Sequence, residues 1–122
     1  MAEKTDGATR QYISEHIKEL IQLLTDARDS VTEAEQIVAQ LQSQLDMCQA
    51  TRKELEKFYN DAGEACLDVQ ASMVHTDHQV ELANRKLRSA QSHLEKERIN
   101  LLDVVGYVDL EIANLKEILD FQ

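Results

Sequence analysis

The sequence predicts an all-α fold, an antiparallel coiled-coil helical hairpin, with a short third helix after Gly106 left open as a variant. Three observations predict it. Apolar residues recur in steps of three and four from Ile13 to Leu115, while the chain holds no proline and only three glycines. Its one interior cluster of turn formers, Asn60-Asp61-Ala62-Gly63-Glu64, falls at the midpoint. A repeat of this kind sustained over many heptads marks a helix-packing seam, because it keeps one stripe of a 3.6-residue helix facing a partner.

Taken in order, residues 1–8 are polar and contain a glycine, so they are expected to form a frayed arm. Residues 9–122 are expected to form one coiled-coil hairpin domain. Its first helix spans residues 9–59, where no breaker interrupts Ile13, Ile17, Leu20, Leu24, Ala27 and the positions that continue them. The turn is placed at 60–63, since Asn tolerates a left-handed helix end and Gly relieves the backbone. Asp61 with Glu64 then has the spacing of a capping box for the second helix. That helix spans 64–121, with a break near Gly106 as the variant.

With Ile13 assigned to heptad position d and Ile17 to a, the seam chooses between a straight rod of roughly 160 Å and a hairpin with arms of roughly 70 Å. In a parallel dimer each seam residue meets its own copy, which gives alanine-on-alanine layers at Ala27, Ala34, Ala62, Ala83 and Ala90 and sets Arg52 on Arg52. Folding antiparallel about residues 60 and 61 removes both faults. Ala27 then meets Leu94, Ala34 meets Leu87, Ala83 meets Val38, Cys48 meets Met73 and Tyr59 meets Ala62. Arg52 lies opposite Val69, and Glu97 opposite Leu24 is a weak layer. Large side chains facing small ones fill a core without voids. The same pairing between two straight chains is the domain-swapped equivalent.

Near Leu101 the stripe widens, and Leu101, Val105, Val108, Ile112, Leu115 and Leu119 suggest a slip by one residue. The start of the first helix widens similarly. Under this pairing the end of the second helix has nothing to face except the N-terminal arm. Ile13, Ile17, Ile21 and Leu23, with Val105, Ile112, Leu115, Ile118, Leu119 and Phe121, are therefore the candidate partner-binding residues.

Composition narrows the function classes. Net charge is −10 with 30% charged residues and no tryptophan, which opposes binding to nucleic acid or to an anionic membrane surface. No apolar run has the ~20 residues of a membrane span, and the first residues lack the apolar stretch of a signal peptide. A soluble protein in a reducing, cytoplasmic compartment is expected. Cys48 and Cys66 both fall on the seam, as small apolar side chains rather than a disulfide framework.

Chemistry-bearing motifs are sparse. His75 and His78, with Glu81, have a spacing that can hold a metal on a helix face, yet solvated helix surface explains them as well. The Glu-x-x-His pairs of di-metal bundles are missing, because Ser72 and Ala90 stand three residues before His75 and His93. No phosphate loop or activated nucleophile stands out. The expectation is a non-enzyme without cofactor, metal or small-molecule ligand. It would be a structural or adaptor subunit that binds protein through its apolar open end, by self-association or within a larger complex. The alternative is a small helical chaperone or regulatory module shielding an apolar client helix.

Overall fold

The computed structural model describes residues 7–62 and 67–121, which form two long helices packed against each other as a hairpin. Helix α1 spans Gly7–Ala62 and helix α2 spans Leu67–Phe121. Gly7 and Ala8, expected in the arm, are helical, and residues 1–6 lie outside the described residues. Asn60, Asp61 and Ala62, assigned to the turn, continue α1. The low helix propensity of Asn60 and Asp61 costs at most about 0.7 kcal/mol each while Ala62 favours the helix, and they follow Tyr59, whose hydroxyl accepts a hydrogen bond from Gln70 Nε2 at 3.1 Å. Gly63, Glu64 and Cys66 lie outside the described residues.

Among the described residues no third helix forms. Helix α2 runs through Gly106 unbroken, because a glycine inside a helix costs only about 1 kcal/mol and the seam residues Val104 and Val108 on either side of it are held against α1.

Burial follows the heptad. Almost every described residue at the a and d positions is buried or half-buried, from Ile13 to Tyr59 on α1 and from Val69 to Ile118 on α2, with Ile17 the exposed one. The expected slip near Leu101 does not occur. Leu101, Val104, Val108, Glu111, Leu115 and Ile118 keep the three-and-four step and line the inner face.

The chain divides into two compact units, one made of α1 up to Glu33 with α2 from Glu95, the other of Ala34–Leu94. In the first, Ile13, Leu20, Val108 and Leu115 form the core, with Val104 and Ile118 packed against it. In the second, Ala34, Leu45, Val69, Leu87 and Leu94 are buried, as is Thr76. Thr76 Oγ1 donates to the Ser72 carbonyl at 2.7 Å, which satisfies its hydroxyl inside the helix.

The pairing register differs from the one expected by a full heptad. In the second unit Arg52 reaches Asp77 and Tyr59 reaches Gln70, which places Arg52 opposite Thr76 and Tyr59 opposite Val69, not Val69 and Ala62. In the first unit the clustering of Ile13 and Leu20 with Val108 and Leu115 places Ile13 opposite Leu115. Both registers set a against d and give Ala27, Ala34, Ala83 and Ala90 a larger neighbour. The observed one also gives the last turns of α2 a counterpart on α1, so it fills more layers.

Candidate functional site: an apolar line at the open end

The first unit contains the end of the hairpin where α1 starts and α2 finishes. Two of the ten predicted partner-binding residues are spent on the intrachain core there, since Ile13 is 8% exposed and Leu115 5%. Ile118 is half-buried against them. The expectation that Leu115 and Ile118 lack an intrachain home is therefore corrected, and the cause is the register. Phe121 ends α2, and its side chain lies outside the described residues.

The other residues stay on the surface. Ile17, Ile21, Val105, Ile112 and Leu119 are 37–59% exposed. Four of them occupy position e, and in an antiparallel pair the e positions of the two helices flank the same side of the seam. A shallow apolar groove of about 400 Å³ between Ile13, Ser14, Ile17 and Leu119 marks where the two flanks meet. Leu23, at g, lies on the opposite flank, beside a smaller groove lined by Ala27, Ser30, Asn100 and Val104.

Helix α2 contributes more to this flank than sequence reasoning assigned. Leu102 is 71% exposed, and with Val105, Asp109, Ile112, Lys116 and Leu119 it forms a second line of b and e positions in steps of three and four. Ile99 widens it. The signal was present in the spacing, but Asp109 and Lys116 interrupt it and the first seam runs alongside.

One polar device sits on the seam itself. Glu111 occupies a d position opposite Ile17, and its carboxylate lies 3.0 Å from His16 Nε2. His16 Nδ1 is 3.6 Å from Glu19, and Tyr12 stacks on the imidazole with ring centroids 5.8 Å apart. The hydrogen bond to Glu111 is the main cause that raises the His16 pKa above its ordinary 6.5. Desolvation opposes it, and Glu19 adds to it. A half-buried carboxylate on an apolar seam is thereby paired with a proton donor.

Elsewhere, His75 and His78 are exposed on α2, and among the described residues no three metal-ligating side chains come together. Cys48 is an unpaired, half-buried thiol on the seam. No described helix is long and apolar enough to cross a membrane. No known family model matches the chain, and neither a curated protein nor a solved structure does.

Proposed function

We propose that the chain is a non-catalytic structural or adaptor subunit, an acidic hairpin of coiled-coil type that assembles with protein through the apolar flank of its open end. One observation carries this reading. The seam closes on itself through Ile13, Leu20, Val108 and Leu115, yet a second apolar line, Leu102, Val105, Ile112 and Leu119, remains outside it. A two-helix hairpin needs one apolar stripe per helix to fold. A second stripe with heptad spacing adds nothing to that fold, costs solubility, and matches the surface by which helices add to a bundle.

The acidic composition, with a net charge of −10, supports protein rather than nucleic acid as the partner class. The unpaired Cys48 thiol supports a reducing, cytoplasmic setting. The groove beside Ile17 and Leu119 suits the rival reading, a chaperone that shields an apolar client helix, and exchange separates the two. The test is native size fractionation of the tagged chain from its own cells, with Ile112→Glu beside the wild type. An adaptor subunit runs in a complex of fixed stoichiometry and Ile112→Glu is released from it. A chaperone runs mainly free, with a minor client-bound fraction that Ile112→Glu loses, and identical migration of both forms contradicts either reading.

A further inference from the structure

We infer that the occupant of the second line on α2 is the same line of a second copy, docked antiparallel. The inference rests on the assembly reading above and names its partner. Its basis is the pair of charges that interrupt the line. Asp109 and Lys116 stand one heptad apart at the two b positions between Val105, Ile112 and Leu119. Both are exposed, and neither forms an ion pair among the described residues.

A line carrying one acid and one base is complementary to itself only when reversed. With two α2 helices antiparallel about a two-fold axis between Leu110 and Glu111, b positions face e positions, as a positions face d positions in the intrachain seam. Leu102 then meets Leu119 of the second copy, Asp109 meets Ile112, and Val105 meets Lys116. Asp109 and the Lys116 of the other copy fall in adjacent layers, within reach of a lysine stem, and the symmetry makes that pair twice. A parallel copy would instead set Asp109 on Asp109 and Lys116 on Lys116, with like charges in contact. The result is a four-helix arrangement in which each hairpin supplies α2 to the centre and the Ser14, Lys18 and Ile21 flank of α1 to the edge.

The test is sedimentation equilibrium of the purified full chain over micromolar concentrations, with charge exchange. The wild type is expected to dimerise. Asp109→Lys and Lys116→Asp each bring like charges together and are expected to weaken the dimer about tenfold or more, while the double variant restores it to within about threefold. All four positions tested are solvent-facing in the hairpin or conservative in helix propensity, and circular dichroism checks that the helices persist. In a Cys48→Ala, Cys66→Ala background, a mixture of Leu102→Cys and Leu119→Cys chains is expected to form the mixed disulfide in preference to either like pair. A monomer at all concentrations, a dimer indifferent to both single exchanges, or preferential Leu102→Cys self-linkage overturns the inference. If the chain is monomeric yet Ile112→Glu still leaves the cellular complex, the second copy is wrong and the adaptor reading stands. If it dimerises as described but the cellular complex contains only this chain, the inference stands and the adaptor reading falls.

Discussion

His16 and Glu111, 95 residues apart in the chain, meet with imidazole nitrogen and carboxylate oxygen 3.0 Å apart. Their meeting defines the register of the first unit, because Glu111 on the seam is tolerable only where a donor reaches it. It also makes that unit sensitive to pH. The His16 pKa is raised in the fold by its bond to Glu111, so the fold binds this proton more tightly than the unfolded chain does. The resulting stabilisation is fully present below about 6.5, the unfolded value, and is lost as pH rises through the higher folded value. Thermal melts of the wild type and His16→Gln should therefore converge as the pH moves from 6 to 9. In Glu111→Gln, nuclear magnetic resonance titration should show the His16 pKa lowered from its wild-type position. An unchanged titration would remove Glu111 as the cause.

Leu115 and Leu119 are both apolar residues near the end of α2, but only Leu115 is buried. Leu115→Ala should cost about 2–3 kcal/mol of unfolding free energy, as deletion of core side chains does. Leu119→Ala should cost under about 1 kcal/mol, when measured by urea denaturation of the monomeric form. Equal costs would mean that Leu115 is no more part of the intrachain core than its neighbour.

Much of this was legible in the sequence, and the part that was not has a physical cause. The seam residues follow from spacing alone, since a side chain three or four places along a helix returns to the same face. Register does not follow in that way. Ala27, Ala34, Ala83 and Ala90 are separated by whole heptads, so moving the pairing by one heptad exchanges Leu87 for Leu94 opposite Ala34 and Val38 for Leu45 opposite Ala83. Both choices look well packed. Only the end separates them, through Leu115 and Ile118, to which the expected pairing gave no counterpart but the N-terminal arm. The apparent slip near Leu101 arose because a carboxylate at position 111 resembles the end of a seam, while Val105, Ile112 and Leu119 offer a continuous alternative beside it. His16, 95 residues away, is the donor that lets this carboxylate stay on the seam.

Gly106 offers a separate check, because α2 is continuous through it. A Cβ built there meets nothing within 4 Å, and its backbone is helical. Gly106→Ala should stabilise the hairpin by about 0.5–1 kcal/mol, through helix propensity and a more restricted unfolded chain. Urea denaturation reads this directly. A loss of stability would show that the helix needs glycine at this point, as the third-helix variant requires.

The register is the claim on which the exposed line depends, and an engineered disulfide tests it most directly. In a Cys48→Ala, Cys66→Ala background, Leu20→Cys with Val108→Cys places thiols on residues of one core cluster, while Leu20→Cys with Leu101→Cys places them as the other register requires. Mild oxidation followed by denaturing electrophoresis should show fast intrachain closure for the Val108 pair and little for the Leu101 pair. Faster closure of the Leu101 pair, or links formed only between chains, would contradict the hairpin register and the surface derived from it.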